Sequence, residues 1–331
     1  MNYIESQEIL HQVYLERYKN GQANDVLKLL EKANAEAMKL IKKSKTVDTK
    51  KHYEEVSTKL KEISKDLKSK MNKSLDTTEL IEEEIDYLNK TYTKMYNKVG
   101  GTKYTFTSPS EKSIRSATMF KPFADGANYD TFLNGIQDGF YNTWDNAVRT
   151  GYIIGEPTTS IVERVMGTVA KSKVAKLGSI NPLRNSIERN TRTWLQSMAN
   201  QTRNSFYEEN EEVISGYKWL STLDRHSCLV CGHLDGQVHK NLTDFTPPPI
   251  HFNCRCILLP VIKGYDELDI EGRANSKKNI SYKEWFDEQS DEVKRDILGT
   301  SRFNLYSEGK LSLKGFVGDN KVLTLDELKK K

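Results

Sequence analysis

Proline is scarce and unevenly placed: the chain has 8 in 331 residues and none before Pro109. An interior proline removes a backbone donor and clashes with the preceding turn, so its absence leaves the first hundred residues free to form long helices. Cysteine is as sparse. All 4 lie between Cys228 and Cys256, which excludes a disulfide framework spread over the fold. Long apolar runs are missing too. The longest, Cys256–Ile262, is interrupted by Pro260 and falls far short of the ~20 residues a membrane helix needs. Met1–Leu10 has neither a basic start nor an apolar run, so no secretory signal is expected, and the reading is a soluble protein made in a cytoplasm. Nor is there a dominant charge: the net value of +4 is too small to argue for nucleic acid. Hydrophobic residues are 37% and mean hydropathy is −0.67. That polarity suits long exposed helices, or surfaces that become buried on assembly.

What charge there is lies unevenly. Residues 39–73 carry 12 Lys against 5 acids, whereas 206–331 are net acidic. The basic stretch reads first as a solvated helix face, and second as a weak, salt-sensitive contact with DNA phosphates. At about 100–200 residues per domain the length suggests two domains. Val56, Leu60, Ile63, Leu67 and Met71 recur at steps of 3 and 4, as do Ile81, Ile85, Leu88, Tyr92, Met95 and Val99. Asp76 with Glu79 predicts a capping box at the start of the second helix, and Gly100-Gly101 its end. Asn24 or Asp25 starts an earlier helix reaching Ile41. This helical region is either a plain bundle or a surface for other subunits.

A short strand at Tyr104–Thr107 and a helix start at Ser110 follow. Helices are expected over Tyr129–Ile154, ended by Gly155 and Pro157, over Thr158–Leu177, and from Pro182 to about Tyr207. In the last of these, Glu188, Arg189, Arg192 and Arg203 mark a polar side. Val213–Leu223 and Arg255–Ile262 read as strands, with Tyr217, Trp219 and Ser221 on one face. Ser281–Leu298 reads as a helix anchored by Trp285, Val293 and Ile297, and Leu325–Lys331 as a short one. The fold class is α+β: long N-terminal helices, then a mixed domain of helices with a small β-structure.

Chemistry concentrates between Asp224 and Cys256. Cys228 and Cys231 form C-x2-C, Cys254 and Cys256 form C-x-C, and His251 stands three residues ahead of the latter. Two thiolate pairs separated by a loop of 22 residues resemble the layout of structural zinc sites. A C-x2-C turn aims two sulfurs at one point, and in a strand positions i and i+2 face the same way. Five candidates, Cys228, Cys231, Cys254, Cys256 and His251, compete for four places, with His251 able to replace Cys256. Arg225 and Arg255 could offset the excess negative charge. The bland alternative is a reduced cluster of small buried hydrophobes. His226, His233 and His239 read as loop residues, and Asp235-Gly236 as a turn.

The order Trp219, Thr222-Leu223-Asp224-Arg225, Cys228, Cys231, Leu234-Asp235-Gly236-Gln237, Pro248-Pro249-x-His251-x2-Cys254-Arg255-Cys256 resembles the head morphogenesis domain named after protein F of phage Mu. Arg189-Asn190-Thr191-Arg192-Thr193 is similar to an Arg-Thr helix of that family. Tyr282-Lys283-Glu284-Trp285-Phe286 through Leu325-Asp326-Glu327-Leu328 is similar to the tail that often follows the domain. The resemblance spans roughly residues 130–331. The residue pattern alone gives a helical N-terminal region over 1–127, and the resemblance implies the F-like domain over 128–265 and a helical tail over 266–331. It also implies a non-enzymatic minor capsid protein in the virion, inside the head near the portal. Its partners would be the portal protein and other head proteins (scaffold, major capsid), its role assembly and DNA packaging or ejection, its membrane contact none.

Two rivals remain on the residues alone. HNH nucleases also carry cysteine pairs beside His and Asn, but neither His226 nor His251 supplies the adjacent acid–His pair of such sites, and no H-x-E of a deaminase occurs. A zinc-stabilised DNA-binding module would use residues 39–73 together with Lys171, Lys173 and Lys176, although the cysteine-rich part is acidic.

Overall fold

The computed structural model describes residues 3–100, 104–119, 121–123, 126–168, 176–263, 281–318 and 321–328. Three long helices come first: α1 (Tyr3–Ile41), α2 (Lys50–Ser74) and α3 (Thr78–Gly100). The stripes behave as their spacing requires, burying Val56, Leu60, Leu67 and Met71 on α2 and Ile81, Leu88, Tyr92 and Met95 on α3. Thr49 caps α2 by accepting from the His52 amide. Asp76 does cap α3, but through the amide and hydroxyl of Thr78 rather than through Glu79. The helix expected from Asn24 or Asp25 instead starts at Tyr3, because nothing between them breaks the turn and Leu15, Ala23, Val26 and Leu30 continue one buried stripe.

No strand forms at Tyr104–Thr107. That segment stays extended and is tied to Asn210, whose side chain bonds both the amide and the carbonyl of Thr107, while Phe106 packs on Phe206. After α4 (Glu111–Met119) comes α5 (Tyr129–Ile154), opened by an Asn128–Thr131 capping box and closed by Gly155 in the left-handed conformation, φ 70°. The helix expected over Thr158–Leu177 is shorter. It is α6 (Thr158–Met166), ending at Gly167 with φ 82°, and residues 167–168 and 176–177 pair as β1 and β2. Lys171 and Lys173 lie outside the described residues.

Helix α7 (Asn181–Glu208), with Pro182 in its first turn, is the axis of the molecule. A three-stranded antiparallel sheet follows, in the order β4 (Val238–His239), β3 (Ile214–Leu220), β5 (Ile257–Ile262), with Trp219 opposite Leu258. Between β3 and β4 lies the one-and-a-half-turn helix α8 (Leu229–Leu234). The single helix expected over Ser281–Leu298 is two, α9 (Tyr282–Asp287) and α10 (Asp291–Leu298), since Ser290 turns outward to cap the second. Tyr282, Phe286 and Leu298 are the buried anchors, and Trp285, Val293 and Ile297 are only partly covered. Helix α11 (Thr300–Ser307), the pair β6 (Val317–Gly318) and β7 (Lys321–Val322), and α12 (Leu325–Leu328) complete the fold.

Two apolar cores meet along α7. In one, α1, α2, α5 and α6 enclose Phe140, Trp144 and Trp194, with Trp144 donating to Asn34. In the other, the end of α3 and the end of α7 pack with β3, α8, β5 and the C-terminal elements around Trp219, Phe206 and Phe286. Where α1, α3 and α7 cross, the core turns ionic. Arg203, expected on a polar outer side, is 1% exposed and pairs with Glu8 at 2.7 Å and Glu84 at 3.0 Å. Buried charges persist only when paired in this way.

Candidate metal centre

The first half of the centre is a knuckle. Cys228 (φ −77°, ψ 161°) caps α8, and its sulfur accepts from the Cys231 amide at 3.4 Å. This is how C-x2-C turns two sulfurs inward. Past α8, Gly236 takes φ 78° and its amide donates to the Trp219 carbonyl, while Asp235 accepts from the Ser221 amide. The Asp235-Gly236 turn thus returns the chain to β3.

The second half is a loop through a cis Pro248-Pro249 bond to His251, then Asn253 in the left-handed conformation at φ 57°. Asparagine tolerates that conformation better than most residues, and here it reverses the chain so that the Cys254 amide bonds the His251 carbonyl. The strand expected over Arg255–Ile262 would include Cys256 and follow directly on Cys254. Instead β5 begins at Ile257, and both cysteines sit in the extended approach to it. The approach curves enough to bring both sulfurs to the site.

All five expected side chains converge. His251 Nε2 lies 3.2 Å from the Cys228 sulfur and 3.1 Å from that of Cys231, and Cys231 and Cys254 are 4.0 Å apart. Two overlapping groups result, Cys228–Cys231–His251 and Cys231–Cys254–Cys256, each compact enough to hold a metal ion. Cys231 belongs to both. Cys254 and Cys256 are buried, and Cys256 also meets the Ser221 hydroxyl at 3.5 Å. The Cys231 thiol and, against opposing burial, His251 bring Cys228 down to about 4. The thiolates of Cys228 and Cys254 in turn push His251 up to about 11. Cys254 is likewise held low, whereas hydrogen bonding to Cys228 and Cys254 pushes Cys231 up and burial pushes Cys256 up, so the cluster by itself pairs thiolates at Cys228 and Cys254 with a protonated His251 and two neutral thiols.

Helix α7 braces this loop through Thr193, which lies in the segment similar to the family's Arg-Thr helix, and through Asn200 and Tyr207, to which the sequence assigns no role. Thr193 Oγ1 accepts from the Asn253 amide at 2.9 Å. Asn200 Nδ2 donates to the carbonyls of Pro248 at 3.1 Å and Cys256 at 3.0 Å. The Tyr207 hydroxyl donates to the Leu258 carbonyl at 3.1 Å. These positions are seven residues apart, two helical turns, and so share one face. A polar stripe at steps of 3 and 4, Thr193, Gln196, Asn200, Arg203 and Tyr207, is the signal that could have found them. Arg255, expected to neutralise thiolates, makes a two-pronged pair with Asp224 at 2.5 and 2.6 Å. Burial would raise the Asp224 carboxyl, and Arg255 more than reverses this. Arg225 is exposed, as is His226, while His239 stacks on Phe245.

Beside the centre opens a cleft of about 730 Å³ lined by Arg189, Arg192, His226, Asn253 and Arg255. Its cationic character is largely answered from within, by Glu16 on Arg192 and Asp224 on Arg255. Compared with protein-family models, curated proteins and solved structures, the chain matches none.

Proposed function

We propose that this chain is a bacteriophage minor head protein of the Mu F-like kind, and that Cys228, Cys231, Cys254 and one of His251 and Cys256 hold a structural zinc ion. The observation that carries the reading is the convergence of five metal-capable side chains within Trp219 to Cys256, the segment with the densest family resemblance. Thiolates with imidazole suit zinc. A tetrahedral zinc at ~2.3 Å from sulfur and ~2.0 Å from nitrogen separates its sulfurs by about 3.8 Å and sulfur from nitrogen by about 3.5 Å. The 4.0 Å and 3.1–3.2 Å separations require only small adjustments.

Four protein ligands would leave no open position for substrate, which favours a clamp over a catalyst. The clamp would join α8 to the approach of β5, and α7 supports it from behind. On this reading the protein binds the portal inside the head and serves assembly and DNA packaging or delivery. The lysines of α2 fit a solvated face, since Lys50, Lys59 and Lys70 each meet an acid one turn away. Among the described residues no helix is long and apolar enough to cross a membrane.

Co-expression with the portal protein of the same genome, without other head proteins, tests the reading. Co-purification of the two is the expected result. An isolated chain that cuts DNA, or binds it tightly, while ignoring the portal would overturn it.

A further inference from the structure

Between Glu8 and Tyr14, ahead of the buried Leu15, α1 is built inside out. An ordinary surface helix turns its apolar stripe inward and its charges outward. Here Glu8, His11 and Gln12 are buried, as is Lys19 further on, whereas Ile9, Leu10, Val13 and Tyr14 are 41%, 65%, 46% and 39% exposed. The helix is not free to roll over and correct this. Glu8 is held by Arg203 and by the Tyr92 hydroxyl. His11 bonds Glu84 and stacks on Tyr87 at 3.6 Å. Lys19 donates to Gln196 of α7 at 2.6 Å. Rotation would strand several buried charges, so the apolar face points outward by construction.

That face has a flank of one sign. Glu79, Glu82, Glu83 and Asp86 are all exposed on the neighbouring helix α3, at steps of 3, 1 and 3. The row runs beside the stripe: the Tyr14 hydroxyl donates to Glu83, and Tyr18, raised to about 12 by burial and then by Glu79 and Glu83, lies one turn further on. Asp86 is paired with Lys90. Glu79, Glu82 and Glu83 have no cationic partner among the described residues. Apolar side chains at helical spacing beside unanswered acids match an amphipathic helix with a basic edge, docked along α1.

We propose that the α1–α3 face is a docking surface for a basic amphipathic helix of another protein. Its apolar side packs on Ile9, Leu10, Val13 and Tyr14, and its Lys or Arg residues meet Glu79, Glu82 and Glu83. These side chains alone define the surface, independently of the zinc and head-protein reading.

The test uses the full chain and two labelled synthetic helices of two heptads each, one of Leu and Lys and one of Leu and Glu, followed by fluorescence anisotropy. The Leu/Lys helix binds saturably and the Leu/Glu helix does not. Affinity for the Leu/Lys helix falls at least about tenfold in Leu10→Asp with Val13→Asp, and separately in Glu82→Lys with Glu83→Lys. All four positions are exposed, so an unchanged melting temperature certifies both variants as folded. Absence of binding by the unaltered chain overturns the proposal, as does equal affinity in the variants or equal binding of the Leu/Glu helix. Retention of the chain on phosphatidylcholine vesicles, without peptide binding, also overturns it in favour of a lipid surface.

Discussion

Asn200 is the side chain on which the candidate metal centre depends most without belonging to it. It is 2% exposed, its amide nitrogen donates to two carbonyls of the cysteine loop, and its oxygen accepts from Gln196 at 3.2 Å. Asn200→Ala takes this donor from the Pro248 and Cys256 carbonyls at once. Each stranded acceptor costs about 1–3 kcal/mol, less whatever water recovers, so a loss of roughly 2–5 kcal/mol is expected. Asn200→Asp keeps the shape but turns an oxygen toward those carbonyls, and should cost at least as much. The assay is guanidinium unfolding of the metal-saturated chain, read as a midpoint shift at unchanged slope, since a changed slope signals an altered denatured state. Metal content measured beside it separates loosened ligands from a weakened fold. A loss below about 1 kcal/mol in Asn200→Ala, with full metal content, would refute the idea that α7 braces the centre through this residue.

Other outcomes follow from the same geometry. Because Cys231 belongs to both ligand groups, Cys231→Ser should abolish metal uptake whichever residue is fourth, whereas only one of His251→Ala and Cys256→Ser should do so; native mass spectrometry reads the stoichiometry, and metal retained by Cys231→Ser would exclude a single shared ion. Arg203→Met leaves Glu8 and Glu84 buried without their cation and should destabilise the fold by about 3–5 kcal/mol in thermal or denaturant unfolding. Burial alone would raise the Glu84 carboxyl, but Arg203 and His11 more than reverse this and hold it below its usual 4.5. Its contribution is therefore complete above that value and is lost as pH falls through the lower folded-state value, so melting temperature should drop on acidification below about pH 4.5, and stability rising there would contradict the pairing. Gly232→Ala would place a methyl carbon 2.3 Å from the Tyr282 ring and should undock α9 from α8, read as faster proteolysis of the C-terminal segment.

Much of the molecule is legible in its residues. The extent of α5, both its ends, the proline-led start of α7 and the buried stripes of α2 and α3 rest on caps and on 3.6-residue periodicity. Those are interactions within a few residues, so the sequence carries them openly. The five metal-capable side chains are visible for the same reason, since residue type and spacing are local facts. What tertiary structure alone decides depends on partners far along the chain. Arg203 reads as a surface charge until Glu8 and Glu84 come to it from two other helices. Asn210 converts an apparent strand at Tyr104–Thr107 into a bonded extended segment. Cys231 comes to belong to both candidate ligand groups only because the loop after Pro249 folds back, bringing His251 to it from 20 residues later. The outward apolar face of α1 is the sharpest case: its residues alternate unremarkably in sequence, and the buried ions on the opposite side determine which way they point.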